Sequence, residues 1–136
     1  MSVGSWEPAA ESAELSPAVV DRLCAGAARL ETPGFGFDVA EIAALAPFAR
    51  DGGAGSPIDW AKASEGLDSE RIIALIRLFT LAEVAFPAWK GGDRSPVIAL
   101  AAALKRRGAF PSGLIAWIRA NSDNRFLPYG SLLRRL

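Results

Sequence analysis

The most regular pattern of apolar and polar positions in the chain lies between Glu70 and Phe86. Apolar residues recur there every three or four positions, as they do along one face of an α-helix. The members of this face are Ile72, Leu75, Phe79, Ala82 and Phe86. Other apolar residues lie on the remaining sides, and a helix that is apolar on most sides is usually buried on most sides. The pattern predicts a central helix over about 69–86, which is too short to cross a bilayer.

Shorter segments with helical spacing precede and follow this central helix. Three of them begin with serine and proline, at Ser16-Pro17, Ser56-Pro57 and Ser95-Pro96. Serine caps the free N–H groups at a helix start, and proline suits the first helical position. Any capped helix prefers these residues, so they do not indicate a repeat architecture. Because no segment alternates as a strand does, we predict an all-α, compact, orthogonal or bundle-like domain of about five to seven short helices.

Turn-forming residues suggest where some of the helices begin and end. The apolar stripe of the first helix reaches Leu30, and we expect the helix to end at residues 32–34, Thr-Pro-Gly. In the segment 34–37, Gly-Phe-Gly-Phe, two phenylalanines alternate with glycines and are expected to fill the core from a loop. Asp38 and Glu41 have the spacing of a capping box, which predicts a second helix start.

The length of the chain favours one domain. Residues 1–15 are small, acidic and unpatterned, and we expect them to form a mobile N-terminal tail. Trp6 is the exception in this tail, because it would dock onto the domain or insert into a partner. Residues 16–136 are expected to form a single helical domain whose last short helix covers 131–136. The N-terminus lacks the basic start and apolar core of a signal peptide, so we expect a soluble, cytoplasmic protein.

Charge is distributed unevenly, although the formal net charge of the chain is zero. Residues 1–67 carry ten acidic and four basic side chains, a net charge of −6, and residues 68–136 carry five acidic and eleven basic side chains, a net charge of +6. Two interpretations follow. The halves neutralise each other within the fold, or the second half forms a basic binding face.

The sequence carries little catalytic equipment. It contains no histidine, which removes the commonest general base and metal ligand at neutral pH. The single cysteine, Cys24, lies in a helical pattern and is interpreted as a small core residue. No phosphate-binding loop, zinc spacing or catalytic triad occurs. We therefore expect no catalytic residue, no cofactor and no metal site.

Polar residues flanked by aromatics are densest in two loops, at 89–95 and 121–129. If the helices over 96–107 and 112–121 are antiparallel neighbours, these loops meet at one end of the domain. Lys90 and Arg94, beside the helix start at Pro96, would suit an anion. The alternative is that caps and ion pairs in these loops only fasten the fold. The candidate cluster comprises Glu83, Lys90, Asp93, Arg94, Ser95, Asp123, Asn124, Arg125 and Tyr129.

Glu83 is the one charged residue in the middle of the main apolar face of the central helix. An unpaired buried carboxylate would cost several kcal/mol or take up a proton. We therefore expect Glu83 to be partly buried and paired with an arginine, with Arg94 or Arg125 favoured. Loss of such charge-assisted bonds in Glu83→Gln would destabilise the fold by roughly 1–3 kcal/mol.

Three classes of function remain for this chain. The first is a small protein-interaction or regulatory module without catalytic activity, which would hold an acidic protein partner on its basic half, including Lys105, Arg106 and Arg107. The second is nucleic-acid binding by the basic second half, in which Trp89, Trp117 and Tyr129 would stack on bases or instead fill the core. The third is a small enzyme with Asp, Arg and Tyr chemistry. A steep salt dependence of binding to DNA or RNA would favour the second class, and a defined protein partner would favour the first.

Overall fold

The computed structural model describes residues 14–130, and the predictions for the tail at 1–13 and the last helix at 131–136 lie outside this range. The described chain is all-α, as predicted, and contains no strand. Four short 3₁₀ turns connect its six α-helices. The helices are α1 (Pro17–Ala27), α2 (Val39–Leu45), α3 (Trp60–Ser64), α4 (Ser69–Ala85), α5 (Pro96–Arg107) and α6 (Leu114–Asn121).

Helix α4 is the central element and packs on α1, α5 and α6. Most of its predicted apolar face is buried, and Phe86, just beyond its end, is half-buried. Asp68 caps its first turn by accepting the backbone N–H of Arg71 at 2.8 Å. Its solvent-facing side is also largely apolar. Leu81 is half-buried there, and Val84 is 50% exposed.

Side-chain caps set most of the helix starts, with one difference from the prediction. Ser16 and Ser95 cap α1 and α5 as expected, and Asp38 and Glu41 form the predicted capping box of α2. The expected start at Ser56-Pro57 is wrong. Asp59 caps α3 instead, because its carboxylate accepts the N–H of Lys62 at 3.0 Å.

The end of α1 also differs from the prediction. The helix stops at Ala27, and the N–H of Ala28 bonds back to Cys24 O at 3.1 Å. Leu30 therefore lies beyond the helix, in the connection to the glycine-rich segment. Phe35 and Phe37 from that segment are buried, as predicted. Phe35 packs edge-on against Phe86, with ring centres 5.5 Å apart.

Helix α6 lies alongside α4 and runs in the same direction. Trp117 of α6 faces Arg77 of α4, and Ala120, further along α6, lies near Leu81 and Val84, further along α4. Helix α6 runs opposite to α5, but the two are not the close neighbours that were expected, because the main helix contact of α6 is with α4. No helix between residues 14 and 130 is long and apolar enough to cross a membrane.

Candidate functional site

The two polar loops meet at the end of the domain where α4 ends and α5 begins. Asn124 donates from Nδ2 to the carbonyl oxygen of Gly92 at 2.9 Å. On the surface, Lys90 Nζ lies 3.4 Å from Asp123 Oδ2. The short helix connections thus bring the 89–95 and 121–129 segments together.

Glu83 lies at the centre of this junction and is 2% exposed. Its Oε2 accepts the hydroxyl of Ser95, the N-cap residue of α5, and its Oε1 accepts Asn124 Nδ2 at 3.1 Å. The expected burial of Glu83 is confirmed, but the pairing with Arg94 or Arg125 is wrong. A hydroxyl and an amide occupy the positions around the carboxylate where an arginine was expected.

We call Glu83, Ser95 and Asn124 the Glu83 clasp, because they join three separate segments. Burial raises the pKa of the Glu83 carboxyl above its ordinary value. The hydrogen bonds from Ser95 and Asn124 act in the opposite direction and lower it, and the nearby Asp123 charge raises it further. The net effect is a raised pKa, because the loss of hydration raises it more than the two hydrogen-bond donors lower it.

An open cleft of about 340 Å³ lies over the clasp. Its walls come from both loops and contain charges of both signs. The lining residues are Glu83, Lys90, Gly92, Asp123, Asn124, Arg125 and Phe126. Phe126 and the carbonyl of Gly92 were not among the predicted residues, since neither carries a distinctive sequence signal.

Three members of the predicted cluster lie elsewhere. Arg94 is directed towards the 51–55 loop, where a Cβ on Gly53 would lie 3.7 Å from its Nη1. Asp93 is half-buried in the 3₁₀ turn Gly92–Arg94 and does not line the cleft. Tyr129 packs beside α5, with Lys105 Nζ 4.1 Å from its ring centre. One cluster predicted from sequence is thus divided among three places.

The expected anion site at the start of α5 does not form. Pro96 has no N–H group, and the N–H of Val97 already donates to Ser95 Oγ at 3.2 Å. The carboxyl group of Glu83 lies at the same place and would repel an anion when ionised. Among residues 14–130, no group of three or more acidic or cysteine side chains could hold a metal ion.

A second surface depression is a mainly apolar groove that the sequence did not predict. Its volume is about 570 Å³, and it lies between the C-terminal halves of α4 and α6 and the connection after α1. Apolar side chains form the floor and one wall, and residues 121–123 form a polar wall. The groove residues are Leu30, Phe35, Leu81, Val84, Ala85, Ala120, Asn121, Ser122 and Asp123.

A smaller apolar depression of about 300 Å³ lies between α1 and α2. Arg22 and Glu41 line its edge, and Arg22 Nη2 donates to Glu41 Oε1 at 2.7 Å. Arg22 also lies over the Phe37 ring, 4.7 Å from its centre. These contacts account for Arg22 as a structural residue of the first half.

Two of the three basic residues at the end of α5, Lys105 and Arg107, contact other parts of the domain. Arg107 donates to the carbonyl of Ser64 at 2.7 Å and to Ser69 Oγ at 3.3 Å. Lys105 lies over the Tyr129 ring. Arg106 is exposed and makes no such contact with another described residue.

Comparison with known protein families, with curated proteins and with solved structures gives no match for this chain.

Proposed function

We propose that this protein is a small protein-interaction module that binds an acidic, amphipathic segment of a partner in the apolar groove. The observation that carries the proposal is the apolar side of α4 that the other residues between 14 and 130 leave exposed. Val84 is 50% exposed and Leu81 is half-buried, and both line the groove together with Ala120 of α6. Contiguous exposed apolar surface with a polar border is typical of a site that binds another protein.

The charges around the groove favour an acidic partner. Arg77 lies four residues before Leu81 on the same side of α4, and Arg119 precedes Ala120 on α6. Asp123 on the polar wall is paired with Lys90. On the opposite wall, Arg29 and Glu31 flank Leu30 and offset each other. Arg77 and Arg119 therefore leave an excess of positive charge beside the apolar floor, and acidic residues next to apolar ones would complement it.

Nucleic-acid binding receives less support than protein binding. Trp89 is buried, and its indole N–H donates to the carbonyl of Ile42 at 2.8 Å, so it is not free to stack on a base. The ring of Trp117 is faced by Arg77 at 5.8 Å. The aromatic groups on which base stacking would depend are thus already in use.

We also propose that the module acts in a reducing, cytoplasmic compartment. The support is the single cysteine of the sequence, which cannot form a disulfide within the chain. Cys24 is half-buried in α1, and burial raises the pKa of its thiol, which keeps it protonated and unreactive. Fractionation of cells that produce the full chain would test the compartment.

Site-specific photo-crosslinking tests the proposed groove. A benzophenone amino acid would replace Val84 in the full chain, and the adduct formed in cells would be identified by mass spectrometry. Val39 offers a matched control, because it is 84% exposed on α2 and does not line the groove. We expect a discrete adduct from position 84 and none from position 39.

The crosslinked segment of the partner must also have the proposed chemistry. Apolar residues at helical or alternating spacing, flanked by aspartate or glutamate, would support the proposal. Equal capture at positions 84 and 39, or a captured segment rich in lysine and arginine, would contradict it.

A further inference from the structure

We infer that the Glu83 clasp sets the affinity of the groove by holding residues 121–123, its polar wall, in place. This inference rests on the proposed function of the groove. It assigns Glu83 and Asn124 a positioning role rather than a direct contact with the partner. Three observations lead to it: the bonding of Asn124, the loop shared by cleft and groove, and the position of Glu83 next to Val84.

Asn124 organises its loop around its own side chain. Its backbone N–H donates to Ser122 Oγ at 2.9 Å, and its Oδ1 accepts the N–H of Phe126 at 3.0 Å. Both bonds lie within the loop. Only Nδ2 reaches the rest of the domain, with bonds to Glu83 Oε1 at 3.1 Å and to the carbonyl of Gly92 at 2.9 Å. The polar attachment of the loop therefore depends on these two acceptors, in addition to the burial of Leu127 in the core.

One loop separates the cleft from the groove. Asp123 lines both depressions, and Asn124, the next residue, belongs to the clasp. The exposed pair between Lys90 and Asp123, at 3.4 Å, is a weaker attachment of the same loop. A shift of Asn124 would thus move the wall of the groove directly.

The clasp also borders the groove through α4 itself. Glu83 faces the interior and Val84, the next residue, faces the groove. The loop is consequently attached at the level of the helix where the floor of the groove is most exposed. The wall opposite Val84 is therefore held by a buried hydrogen bond. Leaving a buried hydrogen-bonding group without its partner costs free energy.

Asn124→Asp is the sharpest variant to test this. It keeps the oxygen that accepts the N–H of Phe126, but it replaces the amide donor with an oxygen that faces Glu83 Oε1 and the carbonyl of Gly92. We expect capture by the benzophenone probe at position 84 to fall by about tenfold, the effect of losing a hydrogen bond to a charged group. Arg106→Ala changes an exposed residue that lines neither the cleft nor the groove and should leave the capture unchanged.

Combining Glu83→Gln with Asn124→Asp provides the rescue. The glutamine amide can donate to the aspartate, and its oxygen can accept the Ser95 hydroxyl, so the bond between positions 83 and 124 is restored in the reverse direction. The bond to the carbonyl of Gly92 stays lost, so we expect the double variant to recover part of the capture. Amide hydrogen exchange of residues 122–126 should be faster in Asn124→Asp and slower again in the double variant.

The outcomes separate this inference from the proposed function. If the unchanged protein gives no adduct at position 84, the proposed function fails and the inference fails with it. If the unchanged protein is captured and Asn124→Asp is captured equally well, only the inference is overturned. Failure of the double variant to recover more than Asn124→Asp would likewise overturn it.

Discussion

At the scale of the residue, burial of Glu83 changes the expected effect of neutralising it. The carboxyl group has two neutral hydrogen-bond donors and no arginine, and the charge of nearby Lys90 only partly offsets the hydration that the ionised form loses. A glutamine at this position can keep both contacts. Its oxygen accepts from Asn124, and its amide donates to Ser95 Oγ. Removal of the charge no longer implies the loss of stability expected from an arginine pair.

We therefore predict that Glu83→Gln is at least as stable as the unchanged protein at about pH 7. The folded-state pKa of Glu83 is raised above its ordinary value of 4.5. The protonated carboxyl accordingly contributes its full stability below 4.5, and this contribution is lost as the pH rises through the folded-state pKa. Urea unfolding over a pH series should show the advantage of Glu83→Gln growing from about pH 4.5 upwards.

Glu70→Gln is the control for this measurement. Glu70 is exposed in the first turn of the same helix, where a negative charge is favourable. Its neutralisation should not stabilise the protein. A clear loss of stability in Glu83→Gln at neutral pH would show that the ionised carboxylate is preferred where it lies.

Gly26 provides a second prediction about a single residue. A Cβ at this position would lie 2.3 Å from Cζ and 2.8 Å from Cε2 of Phe37, so the ring would have to move. Phe37 also contacts Arg22 and Trp89. We expect Gly26→Ala to destabilise the fold by about 1–3 kcal/mol in spite of the better helix propensity of alanine.

Gly66→Ala is the matched control for Gly26→Ala. A Cβ at Gly66 would lie 3.8 Å from the carbonyl oxygen of Ala63, an ordinary contact. Thermal unfolding of the two variants should show a lower melting temperature for Gly26→Ala alone. Equal melting temperatures would mean that the Phe37 ring moves aside without cost.

At the scale of the element, Arg107 connects the end of α5 with the end of α3 and the start of α4. Its two bonds reach the carbonyl of Ser64 and the hydroxyl of Ser69. We predict that Arg107→Ala lowers the free energy of unfolding by about 0.5–1.5 kcal/mol, because the bonds to the Ser64 carbonyl and the Ser69 hydroxyl are lost while the N–H of Leu67 still donates to that carbonyl. Arg106→Ala should stay within about 0.5 kcal/mol of the unchanged protein in chemical denaturation.

Because Lys105 and Arg107 contact other parts of the domain, charge reversal of the whole basic run is a poor test of a binding face. Charge reversal of Lys105, Arg106 and Arg107 together would disturb the contacts of Lys105 with Tyr129 and of Arg107 with Ser64. Weaker binding would then report damage to the fold as readily as the loss of a contact. Arginines beside the groove provide a cleaner test.

At the scale of the whole molecule, the ion pairs seen between described residues do not join the acidic half to the basic half. They join Arg22 to Glu41 and Lys90 to Asp123, and each pair lies within one half. Exposed arginines of the second half, such as Arg77 and Arg119, carry positive charge at the surface. This is the distribution that an acidic partner would meet.

We predict that Arg77→Glu and Arg119→Glu weaken capture by the probe at Val84, whereas Arg106→Glu does not. The reason is position, since Arg77 and Arg119 lie on α4 and α6 close in sequence to the groove residues Leu81 and Ala120, whereas Arg106 lies near the end of α5. Capture by the unchanged protein should also fall as salt is raised. Equal loss in all three variants would indicate a general charge effect instead of a local one.

The sequence was most informative where local chemistry determines the structure. Ser16, Ser95, the Asp38–Glu41 pair and the long stripe of α4 each act through neighbours a few residues away, and each prediction is confirmed. At Ser56-Pro57 a competing local contact prevailed, because Ser56 Oγ bonds to the carbonyls of Gly53 and Ile58. The residues typical of a helix start are present there, but the backbone does not begin a helix at them.

Partners distant in sequence could not be predicted in the same way. The polar loops could be expected to meet, but the choice of Asn124 over Arg125 for Glu83 depends on where each side chain points after the turn. The groove depends on the course of α6 along α4, which brings Ala120 near Val84. Small residues such as Ala120 carry no functional signal until their neighbours are known.

Gly91 and the clasp together could help to recognise distant homologues of this chain. A Cβ there would lie 2.8 Å from Ser95 Cα and 2.9 Å from the carbonyl oxygen of Ala49, so two stretches of backbone approach too closely for any side chain. A homologue that keeps the clasp is therefore expected to have a glutamate or glutamine, a glycine eight positions later, a serine four positions after that and an asparagine further along the chain. This spacing is a sequence pattern by which distant homologues could be recognised when their overall sequence similarity is low.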